Sequence, residues 1–186
     1  MIFQNRVEAG EKLAIQVAKA VKGKARLPAL ERSDGGQGIV LGIPRGGVVV
    51  AKIVAEKLGW PLDVLPAKKI GAPGNPELAI GARVGPTSLN LPAGKAGLRG
   101  VKTVVLIDDG VATGLTVEAG INWLRRNGAG KIIVAVPVAA KDSAERLKTL
   151  ADEWICLHEA DDLYAVGQFY KEFGQVSDEE VVKLLQ

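Results

Sequence analysis

The chain has 186 residues, 47% of them apolar and only 4% aromatic, with a formal net charge of +3. That length suits one domain with a full core, and so small a net charge disfavours nucleic acid as the partner. The single cysteine, Cys156, excludes an intramolecular disulfide, and apolar runs such as 132–140 are too short to span a bilayer, so a cytoplasmic protein is expected.

In chain order, residues 6–22 read as a helix, with Leu13, Val17 and Val21 along one face and Gly23 as its stop. The N-terminus carries Glu8 and Glu11 among apolar residues and lacks the apolar stretch of a signal peptide. A polar connection, 24–37, leads to a buried strand from Ile39 to Ile43, then Pro44-Arg45-Gly46-Gly47 and a helix running to Leu58, closed by Gly59. Leu62 to Pro66 is a second strand. The Gly- and Pro-rich stretch 71–100 holds two short apolar runs, Leu78–Ala82 and Ser88–Leu91, predicted to form a hairpin turning at Gly85-Pro86.

Val101 to Ile107 is the next strand, and Thr116 to Asn127 the helix after it, closed by Gly128. Lys131 to Val138 is another buried strand. Asp142 with Glu145 predicts a capping-box start for the following helix. Trp154 to Leu157 reads as a strand and Asp178 to Leu185 as a closing helix. Strands alternating with helices imply an α/β fold: three layers, with a mainly parallel twisted sheet flanked by helices. The whole of 1–186 is expected to form one domain.

The chemistry gathers after the Val101–Ile107 strand, in Asp108-Asp109-Gly110-Val111-Ala112-Thr113-Gly114-Leu115-Thr116. Two carboxylates at the C-terminal end of a buried strand stand beside a small-residue loop that opens a helix. In open α/β sheets, ligands bind at such strand ends. Carboxylates accept hydrogen bonds from ribose hydroxyls, and loop amides at a helix N-terminus hold phosphate, so the pattern suits a sugar phosphate. The bland alternative is a solvated strand terminus, where Asp is common. Neighbouring acids should also repel each other, so neutralising both should leave the fold intact.

Gly42 to Gly47 forms a second constellation, a strand ending in a glycine-flanked arginine. Glycines let backbone amides approach an anion, and Arg45 can make charge-assisted bonds to phosphate oxygens. Lys68-Lys69 follow the second strand. The basic residues Lys68, Lys69, Arg83, Lys95, Arg99 and Lys102 face a single acid, Glu77, between Val64 and Ile107. Such a basic middle suits a polyanionic small ligand, although an uneven solvated surface explains it equally well. His158, the only histidine, finds no nucleophile elbow to serve, and Trp60, Trp123 and Trp154 lie in or beside apolar patterns as core residues.

The four apolar residues, two acids and Thr-Gly loop of 104–116 resemble the diphosphoribosyl-binding motif of the type I phosphoribosyltransferases. Pro44 to Ala51, Lys69 to Glu77, Asp108 to Gly114 and Ala165 to Phe173 resemble a bacterial and archaeal group of predicted members. The resemblance implies a core at about 39–157 and a small hood drawn from 71–100 and 158–186. It implies transfer of a phosphoribosyl group from 5-phosphoribosyl-1-pyrophosphate (PRPP) to a nitrogenous acceptor, with Mg²⁺ as cofactor. In this reading Asp108 and Asp109 are the catalytic pair, and Mg²⁺ is held near them through ligand and water rather than by a direct protein site. Gly110, Val111, Ala112, Thr113, Gly114 and Thr116 bind the 5-phosphate, and Arg45, Gly46, Lys69 and Lys68 bind pyrophosphate. Tyr164 resembles the ring that stacks on a purine, the alternative being a buried Tyr in a packing segment. Homodimeric assembly is left open.

Three departures stand out. Ala112 and Lys171 replace aspartates of the hypoxanthine-guanine enzymes, and the span between Arg83 and Thr103 is short where relatives carry a long insertion. These departures disfavour ordinary 6-oxopurine transfer. They also keep a second function class in view, a non-enzymatic sensor or regulator that binds PRPP or a nucleotide.

Overall fold

Two short apolar runs, β1 (Gly38–Gly42) and β5 (Thr103–Ile107), pair in parallel with Gly42 opposite Ile107. With β2 (Leu62–Val64), β6 (Lys131–Ala140) and β7 (Glu153–Ala160) they make a parallel sheet in the order β2-β1-β5-β6-β7. The computed structural model describes residues 1–22, 38–72, 75–84, 98 and 101–186, and only the backbone of 68–72 and 75–83.

Strand side chains alternate between faces, and here both faces are covered. Ile39, Leu41, Val104, Leu106, Ile132 and Val134 point to one side, where α3 (Leu115–Arg126) and α4 (Lys141–Lys148) supply Val117, Ile121, Leu124, Ala144 and Leu147. Val40, Val105, Ile107, Ile133 and Ala135 point to the other. There α1 (Arg6–Lys22) and α2 (Gly46–Leu58) supply Leu13, Val17, Val50, Ala51 and Val54. This is the expected three-layer α/β architecture. The first helix has the bounds its periodicity predicts; its predicted stop, Gly23, and the connection 24–37 lie outside the described residues.

Two local expectations meet different outcomes. The predicted hairpin partner of 78–82, residues 88–91, lies outside the described residues, as does its turn at Gly85-Pro86. The run 78–82 belongs to β4 (Asn75–Val84), antiparallel to β3 (Ala67–Ala72), with Lys68 opposite Arg83 and Lys69 opposite Ala82. In the sequence Pro73-Gly74 separates these two strands, a turn signal at least as strong as Gly85-Pro86 and one that closes a shorter loop. Lys68 and Lys69 follow the second strand, which ends at Val64, and lie within β3.

The helix after β6 is not started by Asp142 and Glu145. Its N-cap is Ala140, with no side-chain cap, because β6 runs directly into α4. The capping box of the C-terminal region belongs to α5 (Asp178–Leu184), where Ser177 and Glu180 exchange hydrogen bonds of 2.7 and 3.2 Å. Val181 of α5 packs on Val48 and Val64.

Half-buried Asp63, in β2, carries a thermodynamic cost. Burial raises its carboxyl above the usual value of 3.8, partly offset by the hydrogen bond from the Val64 N–H to Oδ1 at 2.7 Å. A raised acid pKa disfavours the ionised folded form, so the cost is present in full above the folded pKa and vanishes as pH falls below the unfolded one. Asp63→Asn keeps the acceptor and removes the charge. It is expected to raise Tm at pH 7, with a gain that shrinks as the melt is repeated towards pH 4. A loss of Tm at pH 7 would mean that the ionised carboxylate is favoured in the fold.

Candidate functional site

β1 and β5 are neighbours, so their C-terminal loops leave the sheet side by side. The Ile43 N–H donates to Ile107 O at 2.8 Å, and the Leu65 N–H donates to Gly42 O at 3.0 Å. Beyond this point the chains are in close contact. A Cβ on Gly47 would stand 2.9 Å from both Ile107 O and Asp108 Cα, so any side chain there would have to push backbone aside. The sequence thus brings Pro44-Arg45-Gly46-Gly47 against Asp108-Asp109 because both glycines leave room for it. Arg45 is exposed at the N-cap of α2, makes no side-chain cap bond, and follows a cis Pro44–Arg45 peptide.

The two acids have different surroundings. Asp108 Oδ1 accepts the Asp109 N–H at 2.9 Å. The Asp109 carboxylate accepts from Arg6 Nε at 2.7 Å, with only 12% of the Arg6 side chain and 14% of the Asp109 side chain exposed. Asp109 O accepts the Tyr170 hydroxyl at 2.6 Å. Burial, and then the nearby Asp109 charge, push the Tyr170 phenol well above its usual range, so it remains a protonated donor. Two adjacent acids that simply repel one another, as the sequence suggests, are not what the fold holds: Asp109 has a cationic partner 103 residues away.

The loop after them is fixed by its carbonyls. Val111 bridges to Ala139, its N–H donating to Val138 O at 2.9 Å and its carbonyl accepting from Ala140 N at 2.8 Å. Ser143 Oγ donates to Ala112 O and Arg146 Nη2 to Thr113 O, each at 2.6 Å. Gly114 O accepts the Glu118 N–H at 2.9 Å, opening α3, and Arg146 also pairs with Glu118. Gly114, at φ 73°, is in the left-handed region that favours glycine. Every carbonyl from Val111 to Gly114 is therefore engaged. Among the described residues, the N–H groups of Ala112, Thr113 and Gly114 donate to no other backbone group. Free amides at a helix N-terminus attract an anion, through both their own dipoles and that of the helix.

Gly110 to Thr116, Arg45, Gly46 and the acids are thus brought together at one end of the sheet. Lys68 and Lys69 lie in the β3–β4 hairpin, which packs near α3. Tyr164 is 85% exposed, so the buried-packing alternative does not hold for it; its N–H donates to Gln168 Oε1 at 2.8 Å. Lys95 and Arg99 lie outside the described residues. His158 packs against Phe169, and burial pushes the Cys156 thiol up to about 12, so it stays neutral.

Sequence reading missed Arg6, Ser143, Arg146 and Tyr170. Each is an ordinary helix or C-terminal residue by pattern, and its role exists only through a contact distant in sequence.

The sequence pattern of the phosphoribosyl transferase domain matches residues 4–172. A Mycobacterium tuberculosis protein with a provisional phosphoribosyl transferase name is 36% identical over 99% of this chain and 46% of its own length; the chain thus spans less than half of that curated relative. An adenine phosphoribosyltransferase of Mycolicibacterium paratuberculosis is 37% identical over 64% of this chain and 66% of its own. Among solved structures, the Thermus thermophilus protein TT1426 is similar over 100% of this chain and 98% of its own, at 37% identity and a TM-score of 0.73. With a match that takes in both strand-end loops and a fold shared along a whole solved relative, the chain belongs to the phosphoribosyl transferase domain family.

Proposed function

We propose that this chain transfers the 5-phosphoribosyl group of PRPP to a nitrogenous acceptor and releases pyrophosphate. The observation that carries the reading is the 111–114 loop, whose carbonyls are all engaged by the protein while the amides of 112–114 pair with no described backbone group. A 5-phosphate fits there. Arg45 and the Gly46 backbone, at the end of the neighbouring strand, then meet the pyrophosphate end, with Lys69 and Lys68 of β3 as further cations.

In this reading the Asp108–Asp109 pair takes the ribose. The bond between C1 and the pyrophosphate oxygen breaks with its electron pair leaving on pyrophosphate. The acceptor nitrogen then donates its lone pair to C1 and afterwards loses its proton to solvent. Positive charge develops on the ring during this exchange, and fixed carboxylate charge stabilises it without reorganisation. No catalytic nucleophile from the protein is required, because positioning supplies much of the rate.

Mg²⁺ fits the donor chemistry as an ion that arrives with the substrate. Carboxylate oxygens are its preferred protein ligands, and it commonly retains waters and binds through one or two carboxylates plus phosphates. Among the described residues no group of three or more His, Cys, Asp and Glu side chains could hold a metal. Asp108 and Asp109 would face the ion, and its charge would offset that of the pyrophosphate.

Ala112 offers no side-chain acceptor to a purine, and its carbonyl is already taken by Ser143. Hypoxanthine and guanine should therefore turn over far below ordinary enzyme rates, on the order of 1–10³ s⁻¹, since acid–base help of roughly 10²–10⁴-fold is missing. An acidic acceptor such as orotate better suits Lys68, Lys69 and Arg83. Tyr164, with its exposed ring, is the residue to stack on the base. Calorimetry with PRPP and Mg²⁺, run beside pyrophosphate release with adenine, hypoxanthine, guanine and orotate, tests the whole. Magnesium-dependent binding is expected, with at least one acceptor releasing pyrophosphate. Binding with no turnover would favour the sensor, and no binding at millimolar PRPP would overturn the reading.

A further inference from the structure

We infer that Ser143 and Arg146 of α4 are positioning residues for the 5-phosphate loop: they hold two loop carbonyls against the helix and thereby aim the next two amides at the phosphate. The inference rests on the transferase reading above and deepens its account of that loop.

A trans peptide is planar, so the carbonyl of one residue and the N–H of the next point in opposite directions. Whatever holds a loop carbonyl therefore also sets where the following amide points. The outer peptides of the loop are held by backbone. Val111 O accepts the Ala140 N–H at 2.8 Å, and Gly114 O accepts the Glu118 N–H at 2.9 Å. The two peptides between them are held by side chains of α4, Ser143 Oγ donating to Ala112 O and Arg146 Nη2 to Thr113 O, each at 2.6 Å. Those bonds set the direction of the Thr113 and Gly114 amides, the middle of the row offered to the phosphate. Glycine adopts positive and negative φ about equally readily, so the Thr113–Gly114 peptide takes little direction from its own backbone preference.

The helix is placed to reach both carbonyls. Ser143 and Arg146 are three residues apart in α4 and so are neighbours on its surface. Ser143 is 8% exposed, so water competes weakly for its hydroxyl. Ala144 and Leu147 anchor α4 in the core with Ile121 and Leu124 of α3. The loop lies close on this helix: a Cβ on Gly114 would stand 3.0 Å from Leu147 Cδ1 and 3.1 Å from Arg146 Nη2. Arg146 has a second task. Its Nη1 pairs with Glu118, the acid in the first turn of α3. A carboxylate there repels a phosphate at the same helix end, and the guanidinium offsets its charge.

Calorimetry with Mg²⁺ present measures ribose 5-phosphate and pyrophosphate separately in wild type, Ser143→Ala, Arg146→Ala and Arg146→Ala/Glu118→Gln. Each protein is studied well below its melting temperature. Arg146→Ala should weaken ribose 5-phosphate binding about tenfold or more and leave pyrophosphate close to wild type, because a charged hydrogen bond to the loop is lost. Ser143→Ala should show the same selectivity with a smaller loss, its bond being uncharged. The double variant should recover part of the Arg146→Ala loss, since charge balance returns while the Thr113 carbonyl stays unheld. Wild-type affinity for ribose 5-phosphate in either folded single variant, or equal losses for both ligands, would overturn the inference. Full recovery in the double variant would overturn the orienting role of Arg146, and no recovery would overturn its charge-balancing role. Should Arg146→Ala fail to fold, Ser143→Ala decides by the same criterion. Failure of wild type itself to bind ribose 5-phosphate would instead overturn the reading of this loop as the 5-phosphate site.

Discussion

Asp108→Asn should lower turnover about 10²–10³-fold while leaving the melting temperature close to that of wild type. The amide oxygen of Asn can still accept the Asp109 N–H that Asp108 Oδ1 accepts at 2.9 Å, so the turn after β5 survives. What is lost is one fixed negative charge beside the carbon on which positive charge develops. Losing one preorganised transition-state contact of this kind costs roughly 2.7–4 kcal/mol, which gives the stated range.

Asp109→Asn should behave differently. It removes the charge that balances Arg6, and both side chains keep only a little exposure. Breaking a fully buried pair costs roughly 3–5 kcal/mol, and the remaining solvent access should bring this one below that. For a domain of this size each kcal/mol moves Tm by about 2–4 °C. Asp109→Asn should therefore melt several degrees lower than Asp108→Asn. Thermal melts and turnover on the same preparations make the comparison. Equal melting temperatures with equal turnover losses would mean that the two acids share one role.

Arg45→Ala should weaken pyrophosphate binding by one to two decades and ribose 5-phosphate binding much less. Arg45 is exposed, ends β1 rather than β5, and makes no cap bond to α2, so its removal leaves the fold alone. Truncating a charged hydrogen-bond partner costs roughly 1.5–3 kcal/mol, and each 1.4 kcal/mol is tenfold in affinity. The 5-phosphate loop is held by Ser143 and Arg146 of α4 on the other side of the sheet, so it should not register the change. Titrating the two ligands separately by calorimetry reads the difference. Equal losses for both would show that the loops serve the same end of the ligand.

Much of this was legible in the sequence. Leu13 and Val17 recur at helical spacing, and the first helix has the predicted bounds. The apolar run Val104–Ile107 ending in two acids required a buried strand that ends where burial stops, and the small residues after it required a tight loop. These are local signals: a period of 3.6 or 2, a glycine where no Cβ fits, a charge where burial stops. They settled the fold class and the two loops of the candidate site.

The tertiary structure decided the rest. Pairing of Ala67–Ala72 with Asn75–Val84 was not read from the sequence although Pro73-Gly74 is a turn signal, because strand pairing and register are fixed by what the strands pack against. That Asp109 is neutralised by Arg6, that Ser143 and Arg146 turn the loop carbonyls inward, and that Tyr170 reaches Asp109 depended on residues 31 to 103 positions apart. A side chain's charge is written in its identity, but its partner is chosen by the packing of distant elements. The sequence therefore determined which ionisable groups stand at the β5 terminus, and only the folded chain determined that one of them, Asp109, is paired with Arg6.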